Sequence, residues 1–163
     1  MANMCYNYVT CVGRTADINR LKKTLHNGIE HARVHLEATD LNVELQEGAF
    51  FDIWIGEHTP TTLQFSYESK WCPNLLDLAA VCKKHSVSAV SEYNECGVML
   101  YGTAYISPIG EVVNREVSSE FLDLIEYNEE TGLYEYDGIE YETEGDIIEE
   151  HYDNWRFLNG FDY

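Results

Sequence analysis

Along the first 117 residues the apolar positions switch repeatedly between a period of two and a helical period, and each switch marks a new element. Met4 to Val12 is a run of aromatic and β-branched residues closed by Gly13, which reads as a strand. Thr15 or Asp17 then caps a helix with Ile18, Leu21 and Leu25 on one side, and Asn27-Gly28 supplies its stop. Residues 28–48 fit neither period. Phe50 to Ile55 and Thr62 to Tyr67 form a predicted hairpin around a loop with Gly56 and Pro60. Pro73 opens a second helix, whose stripe Leu75, Leu76, Leu78, Ala79 and Cys82 ends in Lys83-Lys84-His85, cations suited to the negative end of a helix dipole. Three further strands follow over 87–93, 98–106 and 111–117. The order β-α-β-β-α-β with extra antiparallel strands predicts an α+β ferredoxin-like sandwich.

Charge then divides the chain. Of a net −19, residues 116–163 hold 16 acidic side chains against one base, Arg156, whereas residues 1–115 hold 13 acids and nine bases. The acidic stretch also contains Phe121, Tyr134, Tyr136, Ile147, Ile148, Trp155 and Phe157, enough apolar surface to fold instead of remaining a solvated polyacid. The expected organisation is a ferredoxin-like domain over 1–117 and an acidic α/β extension over 118–163 packed on it.

The segment Tyr67-Glu68-Ser69-Lys70-Trp71-Cys72-Pro73, with Glu92-Tyr93-Asn94-Glu95-Cys96-Gly97 and Tyr101-Gly102 beyond the second helix, resembles the YubB-type ferredoxin-like family of phage and plasmid proteins. The resemblance spans Met4 to Val117. It implies the fold and a mobile-element setting, and it supplies no catalytic residue.

The chemistry that the residues exclude is informative. Five cysteines, Cys5, Cys11, Cys72, Cys82 and Cys96, are widely spread with no C-x-x-C pair, which suits reduced thiols. His31 and His35 are four apart, but Ala32 stands where a zinc-protease motif has glutamate. No phosphate-binding glycine loop and no calcium-loop spacing occur, so no catalytic residue, metal or cofactor is expected. Nor is there an apolar run long enough for a membrane span, or a basic-then-apolar start that would mark a secretory signal; the expected location is the cytoplasm.

What remains is the acidic surface. Asp137-Gly138 between alternating residues predicts a two-residue hairpin that pairs Tyr136 with Ile139 and Tyr134 with Tyr141, and sets Glu135 against Glu140. Like charges directly opposite one another destabilise a hairpin, so their presence points to a use. Glu135, Glu140, Glu142, Glu144, Glu149 and Glu150 are the candidate partner-binding residues. The expected partner is a basic, nucleic-acid-binding protein whose site is occluded by mimicry of nucleic acid, as an inhibitor of a host defence factor would do; direct binding to nucleic acid is not expected. The competing expectation is a small-ligand-binding or enzymatic module at Lys70 and Trp71, where a strand meets a helix, with the acids serving only solubility.

Overall fold

A computed structural model describes residues 3–35 and 38–151. The expected burial of Trp155 and Phe157 falls outside the described residues, as do the side chains of His35 and Cys96. The chain divides into two units, Met1–Asn114 and Arg115–Tyr163.

In the first unit, β1 (Met4–Val12), α1 (Thr15–His35), β2 (Phe51–His58), β3 (Thr62–Lys70), α2 (Leu75–His85) and β4 (Ser88–Glu95) complete the β-α-β-β-α-β order. β5 (Leu100–Ile106) and β6 (Val112–Glu116) extend it. The sheet order is β2-β3-β1-β4-β5-β6, the ferredoxin-like arrangement with two strands added beside β4. β1 lies between β3 and β4 and runs antiparallel to both, with Tyr8 opposite Ser66 on one side and Glu92 on the other. Both helices cover one sheet face. Ile18, Leu21 and Leu25 of α1 and Leu78, Val81 and Cys82 of α2 meet Val9, Cys11, Leu63, Phe65 and Ala89 in a single core.

Strand alternation in β1 is the reverse of what hydrophobicity alone suggests. Cys5, Asn7, Val9 and Cys11 point into the helix layer, while Tyr6 and Tyr8 face outward. Buried Asn7 is accommodated because its amide donates to the Cys5 carbonyl at 3.0 Å and to Ser69 Oγ at 2.9 Å. Cys5, Cys11 and Cys82 are buried free thiols and Cys72 is an exposed one. A hydrogen bond with Cys82, together with burial, pushes the Cys11 thiol well above its ordinary value.

The expected stop at Asn27-Gly28 is not one: α1 continues to His35. Gly28 serves packing. A Cβ there would meet Leu41 Cδ2 at 2.8 Å and the Thr39 side chain at 3.1 Å, so glycine lets the loop after α1 close against the helix and bury Leu41. That loop is then held to α2. The buried Asp77 carboxylate accepts the backbone N–H groups of Gln46 (2.6 Å), Glu47 (2.8 Å) and Gly48 (2.9 Å). Asn74 donates to the Gly48 carbonyl at 2.9 Å, and Glu47 in return accepts the Leu76 N–H of the first turn of α2. At the start of α1, Arg14 and Arg20 both pair with Asp17, and the Arg14 guanidinium holds that carboxyl below its usual range.

His85 closes α2 as a buried side chain, and among the described residues neither ring nitrogen has a hydrogen-bond partner. Burial foremost, then the Lys84 and Arg20 cations, lower its pKa, against a smaller opposing pull from Asp17. The unfolded chain therefore takes up a proton at the ordinary histidine pKa, and the folded chain only at lower pH. Stability is expected to fall as pH drops below about 6.5, by at most about 1.4 kcal/mol per pH unit for this one proton. Urea titrations between pH 7.5 and pH 5, wild type against His85→Leu, test this: the variant should lose that part of the slope, and equal slopes would show that His85 charges without cost.

No helix among the described residues is long and apolar enough to cross a membrane.

Candidate acidic interface

The second unit is built from short elements with explicit end signals. Ser118 accepts the Phe121 N–H at 3.3 Å and caps α3 (Ser119–Leu122). β7 (Glu126–Asn128), β8 (Leu133–Tyr136) and β9 (Ile139–Tyr141) form a three-stranded antiparallel sheet. The β7–β8 turn is set by Asn128, whose side chain accepts the Glu130 N–H at 2.9 Å, and is closed by Gly132 at φ +73°. The β8–β9 turn is Asp137-Gly138, with φ +49° and +77°, the left-handed pair of a type I′ hairpin. α4 (Glu144–His151) begins with a reciprocal cap: Asp146 N–H donates to Thr143 Oγ1 at 3.2 Å, and the Asp146 carboxylate accepts the Thr143 N–H and hydroxyl.

Register separates two faces. Tyr134 pairs with Tyr141 and Tyr136 with Ile139, as the turn predicts, and Tyr127 of β7 joins Tyr134 at 5.0 Å between ring centroids. His151 of α4 lies on this aromatic face, 4.8 Å from the Tyr136 ring and hydrogen-bonded to the Tyr141 hydroxyl at 2.6 Å. Partial burial and then the Glu150 charge raise the Tyr141 hydroxyl above its ordinary value. On the opposite face Glu135 stands against Glu140, as expected, and also against Glu126. Three carboxylates thus cross three strands in one row, spaced by the ~4.8 Å interstrand distance.

Sequence reasoning missed Glu126. Its signal was the alternation Glu126-Tyr127-Asn128 ahead of an Asn-to-Gly turn, which is short but of the same period as β8. The structure also divides the six candidate residues. Glu135 and Glu140 share the row, and Glu142 follows β9, exposed. Glu144 is half-buried in the first turn of α4, where an acid suits the helix dipole. Glu149 and Glu150 are exposed on α4, and Glu150 sits 3.7 Å from His151, on the aromatic side and away from the row. Asp146, another acid of this stretch, is committed to capping.

Neither Lys70 nor Trp71 lines the concavities described below. Lys70 lies over the Phe51 ring at 5.1 Å, and Trp71 is 57% exposed at φ +69° instead of anchoring α2 in the core. The concavities lie elsewhere. One of about 190 Å³ lies on the outer sheet face between Tyr6, Tyr8, Asp52 and Glu68, and one of about 400 Å³ lies between Tyr8 and Trp54. Among the described residues no three His, Cys, Asp or Glu side chains converge to hold a metal ion.

A family model described as a ferredoxin-like domain in Api92-like protein matches residues 50–137, a little over half of the chain. The chain belongs to this family. The family region starts at Phe50, leaving β1 and α1 outside it, and ends at Asp137 in the β8–β9 turn. It therefore runs past Val117, the expected limit of resemblance, and takes in Glu126 and Glu135 but not Glu140. No curated protein and no solved structure matches the chain significantly.

Proposed function

We propose that the protein is a cytoplasmic accessory protein of a mobile element, of the YubB type, whose C-terminal unit binds a basic site on a nucleic-acid-binding protein. By occupying that site sterically and electrostatically, it would inhibit a host defence factor. The observation that carries this reading is the row Glu126, Glu135 and Glu140. Their spacing of ~4.8 Å across strands is closer to the ~3.4 Å axial advance of phosphates along a nucleic-acid strand than the ~7 Å repeat along a single β-strand would be. Opposed carboxylates lower hairpin stability, and a cationic partner relieves that repulsion. The large negative charge of the chain adds long-range steering toward a basic surface.

The test is an affinity pull-down at low and high salt, wild type against Glu126→Lys/Glu135→Lys/Glu140→Lys, read by mass spectrometry. A nucleic-acid-binding protein retained by the wild type and lost with both high salt and the triple variant is the expected result. A partner set unchanged by the variant would leave the acids to solubility. Glu150→Lys, on the aromatic side, is expected to weaken capture less than the row variant.

A further inference from the structure

Two helices cover one face of the six-stranded sheet, and the other face carries an unusual arrangement in its centre. Tyr8 of β1 and Trp54 of β2 are each the cross-strand neighbour of Ser66 on β3. Two aromatic side chains therefore flank one small residue, with backbones about 9.6 Å apart, twice the interstrand spacing. A flat group inserted between them can contact both rings at ordinary van der Waals distance, about 3.5–4 Å each. The rings are open to solvent, Tyr8 at 56% and Trp54 at 68% exposure, and the concavity between them measures about 400 Å³. Gly56 leaves room for the Trp54 ring, since a Cβ there would come within 3.1 Å of the indole.

The surroundings are acidic. Glu57 lines this concavity, and the adjoining one, which shares Tyr8 and Ser66, is lined by Asp52 and Glu68. Glu92 stands opposite Tyr8 on the other side. Asp52 is placed there by a register irregularity between Phe51 and Trp54, and its backbone is left-handed at φ +43°. A non-glycine residue held in that conformation within a strand is strained, and bulges of this kind re-aim side chains. Burial, and then the Asp52 charge, raise the Glu68 carboxyl, so the two acids repel one another. The base on the outward positions of β3, Lys70, is turned over the Phe51 ring.

We propose that this sheet face binds the guanidinium of an arginine side chain presented by a partner protein, stacked between Tyr8 and Trp54 with Glu68 and Asp52 as its counter-charges. Guanidinium is flat, permanently charged and weakly hydrated, and stacks on aromatic faces while it donates to carboxylates. A nucleobase would also stack, but its phosphates would meet Asp52, Glu57, Glu68 and Glu92. The site is in the first unit and independent of the Glu126–Glu135–Glu140 row, so each proposal can fail without the other.

The experiment is an NMR titration of the full ¹⁵N-labelled chain with N-acetyl-arginine methylamide, in parallel with the citrulline analogue, which is flat but uncharged, and with AMP. Saturable shifts of the Trp54 indole N–H and of amides 54–57 and 64–68 are expected. The citrulline analogue should bind at least about tenfold more weakly, and AMP should leave these signals in place. Tyr8→Ala and Trp54→Ala, both at exposed positions, should abolish the shifts while the remaining spectrum superimposes on wild type, and Glu68→Gln should weaken them. Absent shifts, equal binding of citrulline or AMP, or binding that survives both aromatic variants would overturn the proposal.

Discussion

Asp77→Ala is expected to destabilise the first unit by about 3–4 kcal/mol, the cost of three hydrogen bonds to a buried carboxylate that are individually worth about 1.5–3 kcal/mol and less than additive. The side chain is fully buried, and its two oxygens hold three successive N–H groups of the 46–48 loop. No other described side chain accepts from those groups. Chemical unfolding should show a lower midpoint at unchanged slope, and hydrogen exchange at Gln46, Glu47 and Gly48 should rise more than in the strands. Asp77→Asn retains the shape but turns amide protons toward backbone N–H groups, and it should recover less than half of the loss. A loss below about 1 kcal/mol would mean that Asn74 and Glu47 suffice to fasten the loop.

Gly102→Ala is the second large effect. Gly102 pairs with Tyr93 across β4 and β5, and the Tyr93 ring lies over it: an added Cβ would sit 2.1 Å from the phenolic oxygen and 2.2 Å from Cζ. The ring has nowhere easy to go. It is buried, and its hydroxyl donates to Asn114 Oδ1 at 2.8 Å on β6. Overpacking of this kind costs about 1–3 kcal/mol, and displacing the hydroxyl from Asn114 adds about 1 kcal/mol. The decisive comparison is a double-mutant cycle. Tyr93→Leu removes the clashing atoms, so alanine at position 102 should then cost less than about 1 kcal/mol, a coupling between contacting residues. An unaltered cost would place the defect in the backbone of β5.

Which parts of this molecule were readable in advance follows from the range of the interactions involved. The strands of the first unit, α2 and the Asp137-Gly138 hairpin were legible because each is set by residues close in sequence, and the register of Glu135 and Glu140 followed from a two-residue turn. α1 was cut short because glycine after asparagine is a local stop signal, whereas Gly28 answers to Leu41 and Thr39, contacts that no local pattern contains. Lys70 and Trp71 drew notice as a strand-to-helix junction, but junctions mark where the chain turns and not where the surface is concave. The Tyr8–Ser66–Trp54 group needs three strands in register, and only the fold brings residues so far apart in sequence together. The acidic candidates were chosen by charge, and the structure sorts them by place: Glu135 and Glu140 in a row that gains Glu126, Glu142 exposed after β9, Glu144 in the first turn of α4, and Glu149 and Glu150 exposed on α4, the latter beside His151.

The strand at the middle of the sheet is the first one made. β1 must wait for β3, roughly 60 residues downstream, and then for β4 before both of its edges are satisfied. At a synthesis rate of about 5–20 residues per second that is about 3–12 s in which an aromatic-rich strand emerges with no mate. Non-local pairing of this order also slows folding after release, since loop closure is met before the sheet rewards it. During that interval Tyr6, Tyr8, Val9 and the thiols of Cys5 and Cys11 are all open to whatever first meets the nascent chain, so yield during synthesis should depend on holding β1 apart from other unpaired strands.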